Sequence, residues 1–405
     1  MKISTMRLVD TWVGVPLCFL CTWVDRALAL FRKRRTPLRR ALFIELSEMG
    51  SAVICAAALR RFQERHPEAE LHFLIFDSNR EGIDIVGLVP PHRVHTLQHD
   101  NFLQIVAGVV RLAWRFRKLR FDAVVDLELF SCFTALLSFL TFAPIKAGFC
   151  STTTAGLYRG DFLTHRVNFN SGVHIIYSYL ALVEALEREG EIPAFKGTLD
   201  HLDTDPPDLP RDEKTESWLT AELRVEMPDL DLGRHRLILV NPDPGLLAIR
   251  GWGFDRFGLL VKALLEDPDR VVVLLGLSRS REACEAIRSG TDGRRCINFA
   301  GRDRGLRDLL SLFFLGDLLI TNDSGPAHFA TLSRIPTIVL YGPASAVTYG
   351  ALNPLARNLS SGFHCSPCLT AMNRRDTRCT DNQCLQAITV EEVTRHAVEL
   401  LASRG

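Results

Sequence analysis

A chain of 405 residues is too long for one ordinary hydrophobic core and implies about two domains. With 47% hydrophobic and 23% charged residues and a formal net charge of +1, it has the composition of a globular protein with no global charge to draw it to nucleic acid. Its 11 cysteines, an odd number scattered through apolar segments as well as one tight cluster, favour a reducing compartment over a disulfide framework.

The first 39 residues stand apart. TWVGVPLCFLCTWV (11–24) lies between Asp10 and Asp25 and is followed by RALALFRKRRTPLRR. This apolar run of 14 residues is too short to span a bilayer. The cations Arg32, Lys33, Arg34, Arg35, Arg39 and Arg40 follow it, whereas a secretory signal carries its charge in front. An apolar segment followed by a basic cluster suits the anionic cytoplasmic face of a membrane, so residues 1–39 read as a membrane-associating segment. The alternative is a short helix packed on the protein's own surface.

From residue 40 short apolar strands alternate with amphipathic helices. RALFIEL, LHFLIFD, RVHTLQ, AVVDLE and IKAGFC read as strands, with helical patterns such as AVICAAALRRFQERHP, FLQIVAGVVRLAWRFRKL and HIIYSYLALVEALERE between or after them. This makes 40–198 a parallel α/β domain. LDHLDTDPPDLPRDEKTE, rich in Pro and Asp and without apolar period, opens a linker taken as 199–234. Alternation resumes in 235–405, where LILVNP, VVVLLG, CINFAG, LLITND and TIVLYGP are strands and FDRFGLLVKALLE, REACEAIRS, LRDLLSLFFLG and PAHFATLSR are helices. The fold class is therefore α/β: two Rossmann-like, doubly wound parallel sheets facing a cleft with the carboxyl ends of their strands, where ligands of such sheets bind. No sequence repeat links the two halves.

At one strand end stands TNDSGPAH (321–328). Ser324 is a good helix N-cap, Gly325 permits close approach to the backbone, and Pro326 suits a first helical turn. Such a helix start attracts anions, phosphates above all. The first strand is followed by SEMGSAV, which lacks a dinucleotide glycine fingerprint, and no Walker-type loop occurs, so dehydrogenase and NTPase readings lose their main support. Asp203-Thr204-Asp205 and Asp267-Pro268-Asp269 resemble metal-holding acid pairs but fall in loops and read as turns.

Three segments carry a family resemblance: ALFIELSEMGSAVICAAALRRFQERHPEAELHFL, NPDPGLLAIRGWGFDRFGLLVKALL and LLITNDSGPAHFATLSRIPTIVLYGP. Together they resemble the ADP-heptose:lipopolysaccharide heptosyltransferases, glycosyltransferase family nine, from about residue 40 to the end. The resemblance implies a GT-B fold with acceptor bound by the first domain and nucleotide-sugar donor by the second. It also implies inverting, metal-independent transfer in the cytoplasm, peripheral to the inner membrane, onto a lipid-linked saccharide. Arg250, two positions before Trp252, falls where the family's phosphate-contacting basic residue lies, and its planar guanidinium suits a phosphate fork. On this reading the backbone N–H groups of Ser324, Gly325 and Ala327 hold the pyrophosphate in a donor-binding turn that includes Pro326, Asp323 turns toward sugar hydroxyls, and His328 reaches a phosphate or hydroxyl.

One departure matters. Where the family has a glycine followed by an aspartate proposed as general base, this chain has Gly50 followed by Ser51 on the acceptor side. Serine cannot take that proton, so another carboxylate is required. Glu128 is the first choice and Glu48 the second, with Asp126 on the same strand face as Glu128 by period two. Near the C-terminus, residues 364–384 contain Cys365, Cys368, Cys379 and Cys384, spaced C-x2-C-x10-C-x4-C, which suggests a structural zinc knuckle against a loop of ordinary thiols. No catalytic cofactor is expected. Two other functions stay open at this stage: a catalytically silent protein that binds nucleotide sugar or glycolipid, suggested by Ser51, and a nucleotide-sugar epimerase, which would have no use for a basic N-terminal anchor.

Overall fold

The computed structural model describes residues 7–29, 37–46, 48–150, 158–188, 190, 192–291 and 293–403. Arg32, Lys33, Arg34 and Arg35 of the N-terminal basic cluster lie outside the described residues. The chain forms two compact units: Met1–Asp205 with Ala371–Arg375, and Pro206–Thr370 with Asp376–Gly405.

Unit 1 is built on β1 (Arg40–Ile44), β2 (Glu70–Phe76), β3 (Val94–Leu97), β4 (Ala123–Asp126), β5 (Ile145–Phe149) and β6 (His165–Val167). Its parallel sheet has the order β3-β2-β1-β4-β5-β6. Unit 2 carries β7 (Arg236–Asn241), β8 (Arg270–Leu274), β9 (Cys296–Asn298), β10 (Leu318–Asn322), β11 (Thr337–Tyr341) and β12 (Ala356–Ser360), in the order β12-β11-β10-β7-β8-β9. Counted from its own first strand, each sheet runs 3-2-1-4-5-6. The repeat invisible in the sequence is thus present in the topology.

The central strands are nearly continuous apolar runs because both faces are covered by helices. In unit 1, Leu42, Ile44, Leu74 and Val124 pack with Phe116 and Phe121. In unit 2, Ile238, Val240 and Ile320 pack with Trp252 and Phe257, whose rings meet edge to face at 5.0 Å. Ten of the strands coincide with the apolar runs read from the sequence. The exceptions, β6 and β12, are the short sheet-edge strands HRV and ARNLS, whose polar content gives no apolar run to read.

Two segments differ from their sequence reading. Residues 199–234 are not wholly a linker: the helix Glu213–Glu226, capped by Asp212, buries Leu219 and Leu223, and Arg302 pairs with Glu222 and Glu226 within unit 2. The periodicity of this helix is hidden by its charge. At the N-terminus the helix Arg7–Leu28 runs 22 residues, longer than the apolar stretch alone implied, and meets the length and composition needed to cross a membrane. One side of it is nevertheless seated on unit 1. Asp10 accepts the Cys132 and Phe133 N–H groups at 3.1 and 2.9 Å, a Cβ on Gly14 would strike Cys132, and Asp25 lies 3.3 Å from buried Lys146.

In each unit, strands one and four are neighbours, so the crossovers leave them in opposite directions. The carboxyl ends of β1 and β4, and of β7 and β10, therefore frame the switch points where doubly wound sheets bind ligands.

Candidate active-site residues in the two units

At the switch point of unit 1, β1 is followed by Glu45 and Leu46, and β4, which ends in Asp126, by Leu127 and Glu128. The strand stops at Asp126, so period two does not relate it to Glu128. A turn does: the Glu128 N–H donates to Asp126 Oδ1 at 3.2 Å. Glu128 Oε1 in turn accepts the Leu46 N–H at 2.9 Å, which fixes its carboxylate across the two strand ends. It is the half-buried member of the group.

Asp126 is fully buried and pairs with Arg159, whose guanidinium also donates to the carbonyls of Ser131 and Phe149 and to the Thr134 hydroxyl. Burial raises the Asp126 carboxyl to about 6, with Arg159 opposing it. A carboxylate so enclosed holds the ends of β4 and β5 together, a structural place that weighs against its reading as a catalytic candidate. Glu48 forms an ion pair with Arg375, a residue of the short segment that folds into this unit. Ser51 is also buried, and its hydroxyl hydrogen-bonds Glu45. Gly50 lies buried at the N-cap of the helix Ser51–Arg65.

Glu45 is the residue the sequence reading left without a role. It is buried, and desolvation, reinforced by Glu128 and Asp126 and opposed by Arg375 and Ser51, holds its carboxyl well above the usual range. Its place, an acid directly after the apolar strand, does not by itself say that the side chain turns inward.

At the switch point of unit 2, Arg250 and Asp323 come together. Arg250 lies in the turn Ala248–Arg250 after β7, and Asp323 directly follows β10. Nη1 of Arg250 donates to Asp323 Oδ2 at 3.2 Å and to its carbonyl at 3.3 Å, while the buried Arg250 Nε has no hydrogen-bond partner among the described residues. Burial raises the Asp323 carboxyl despite Arg250. The two side chains expected to meet phosphate and sugar are thus held together as one pair.

Polar side chains fix this pair. Asn322 Oδ1 accepts the Trp252 N–H at 2.9 Å and its Nδ2 donates to the Pro242 carbonyl at 3.0 Å, tying the loop after β7 to the end of β10. Asn382 Nδ2 donates to the carbonyls of Ile249 and Gly251. Ser324 occupies the N-cap of the helix Gly325–Ser333, but its hydroxyl donates back to the Asn322 carbonyl and makes no cap bond. Pro326 stands in the first turn as expected. A side chain at Gly325 would meet nothing within 4 Å, so the helix start opens onto space. Burial and nearby Arg250 lower the His328 ring to about 4, so it is neutral near pH 7.

The other motifs resolve simply. Asp203–Asp205 and Asp267–Asp269 are turns in which the first carboxylate accepts the N–H two residues on. In the loop after β9, Arg302 and Arg304 are held by Glu222, Glu226 and Asp308. Of the four C-terminal cysteines, Cys365 and Cys379 are exposed and Cys384 is buried, where burial and the other three thiols raise it, and the Cys379 thiol turns to the Asp381 carbonyl. Among the described residues no three His, Cys, Asp or Glu side chains gather as a metal site.

The profile of glycosyltransferase family 9 (heptosyltransferase) matches residues 109–377. Lipopolysaccharide heptosyltransferase 2 of Salmonella typhimurium is 29% identical over 191 residues, 46% of this chain and 53% of that protein, so the match spans about half of that relative's length. Lipopolysaccharide heptosyltransferase 1 of Campylobacter coli is 22% identical over 88% of this chain and 97% of its own. Among solved structures, the E. coli ADP-heptose lipopolysaccharide heptosyltransferase II superposes with a TM-score of 0.67 at 19% identity, covering 90% of this chain and 99% of its own. A family 9 glycosyltransferase from Veillonella parvula gives 0.70 at 18% identity over 90% and 97%. These likenesses show the same α/β fold.

Proposed function

The chain belongs to glycosyltransferase family 9, the heptosyltransferases, and is a glycosyltransferase; from that premise we propose that it transfers a heptose from a nucleotide diphosphate sugar such as ADP-heptose to a lipopolysaccharide or other lipid-linked envelope glycan, on the cytoplasmic side of the inner membrane. The observation that carries the donor assignment is the Arg250–Asp323 pair at the switch point of unit 2, beside a helix start open at Gly325.

Charge on a departing diphosphate is met by the helix start and by the Arg250 donors that Asp323 does not occupy. Asp323 orients the guanidinium and accepts from sugar hydroxyls beside it. Neutral His328 offers one donor or acceptor to the same ligand. With cationic and dipolar groups supplying the neutralisation, transfer proceeds without a divalent ion and inverts the anomeric configuration in one displacement. In unit 1, Glu128 is the general base: the Leu46 N–H orients its carboxylate, and it is half-buried where Asp126 is sealed in. Calorimetric titration of nucleotide sugar into wild type, Arg250→Ala and Asp323→Ala tests the donor site. Weakened binding in both variants is expected, and unchanged affinity and rate in both would remove it. Turnover undiminished by a chelator is expected as well.

A further inference from the structure

We infer that the helix Phe102–Leu119 is a second lipid-binding element which, with the helix Arg7–Leu28, seats unit 1 on an anionic bilayer surface. A surface helix of a soluble unit normally buries one apolar stripe and shows water a polar one. This helix is apolar on both sides. Leu112 and Phe116 fill its inward face against Leu97, Phe121 and Val124. On the outward face Leu103, Val110 and Trp114 are 78%, 65% and 64% exposed, and Val106 is exposed with them. These four residues succeed one another at steps of three or four, so they form one stripe.

The charge on the same helix is one-sided. It carries Arg111, Arg115, Arg117 and Lys118 and no acid, in a chain whose 48 basic and 47 acidic residues otherwise nearly balance. Lys118 Nζ lies 3.4 Å from the centre of the Trp114 ring, joining cation and aromatic at the exposed end. An apolar stripe ending in aromatic and basic side chains suits a helix lying in the interface, with rings at headgroup depth and cations on lipid phosphates.

The N-terminal helix shows the same inversion. Its acids, Asp10 and Asp25, turn inward to the Cys132 and Phe133 N–H groups and to Lys146, while Trp12, Phe19, Leu20 and Trp23 are exposed. Both helices pack on Cys132–Leu140, so the two apolar faces flank a single element. An anionic lipid surface satisfies both faces and the cations together, whereas a protein partner would need an acidic rim matched to an apolar floor.

This inference deepens the reading of the acceptor as lipid-linked, but it is measured as binding, so its failure leaves the transfer reading intact. Full-length protein is sedimented with phosphatidylethanolamine/phosphatidylglycerol vesicles and with neutral phosphatidylcholine vesicles. Wild type should partition strongly onto the anionic vesicles. The Leu103→Ser/Val110→Ser/Trp114→Ser variant should lose on the order of tenfold or more of that partitioning. Arg111→Gln/Lys118→Gln, which leaves the apolar stripe alone, should lose roughly 25-fold on anionic vesicles, about fivefold per cation, and little on neutral ones. Wild-type partitioning by both variants would overturn the proposal. So would conversion of a wild-type dimer to monomer by the triple variant with vesicle binding unchanged, because the stripe would then belong to a second copy of the chain.

Discussion

Glu128 and Asp126 are two residues apart, yet the surrounding atoms give them different work. Glu128→Gln keeps an oxygen for the Leu46 N–H while removing the proton acceptor, so kcat should fall by about 10²–10⁴ with the melting temperature and donor affinity nearly unchanged. Asp126→Asn leaves Arg159 buried without its counter-charge and should cost about 3–5 kcal/mol of stability, read in denaturant unfolding. A Glu128→Gln enzyme within a few-fold of wild type, or an Asp126→Asn protein as stable as wild type, would reverse these roles. In unit 2 Arg250→Lys retains charge but loses the planar fork, so it should recover little of the donor affinity that Arg250→Ala loses, measurable by the same titration. Full recovery by lysine would mean that charge alone is sensed there.

The elements differ in how far the sequence announces them. Central strands such as VVVLL and LLITN were legible because burial on both faces demands a continuous apolar run. The helix Glu213–Glu226 was not, because charged residues paired with Arg302 cover much of its surface and dilute its period. TNDSGPAH was readable as a helix start, but the Arg250–Asp323 pair was not, since its members are 73 residues apart and meet only through the β7–β10 pairing. Glu45 was passed over because nothing in FIEL says that its acid turns inward. The cysteine-rich segment shows the converse: spacing suggested a zinc knuckle, while in the fold Cys365 and Cys379 stay exposed, Cys384 is buried, and no ligand group gathers among the described residues. Protein purified without chelator is expected to carry well under one equivalent of zinc, with Cys365 and Cys379 titrating quickly and Cys384 slowly. One full equivalent, with all four thiols protected, would restore the knuckle.

The molecule as a whole repeats one sheet topology with two kinds of strand-end chemistry, acidic in unit 1 and an arginine–aspartate pair beside a helix start in unit 2. Its response to acid follows from buried groups. His72 Nδ1 and His95 Nε2 lie 3.1 Å apart in stacked rings, so one must donate and the other accept. Burial lowers His72 to about 4 and His95 to about 3. Because both are lowered, their contribution is complete above the ordinary value near 6.5 and is lost as pH falls from there toward 4, at about 1.4 kcal/mol per unit for each group. Asp126, raised to about 6, acts in the opposite sense and favours the folded state as pH falls below 6. Denaturant unfolding should therefore show the stability gap between wild type and His95→Gln narrowing below about pH 6.5. A gap independent of pH would contradict the buried neutral pair.

The central claim is that two chemically different strand-end sites serve one transfer reaction. Its most direct test incubates purified full-length protein with ADP-heptose and a heptose-deficient lipid-linked acceptor and follows the acceptor by mass spectrometry. The account predicts the gain of a single heptosyl residue with wild type, with the gain strongly reduced in both Arg250→Ala and Glu128→Gln. Binding of donor and acceptor by the wild type with no glycosylated product would contradict it and leave a binding protein in place of an enzyme.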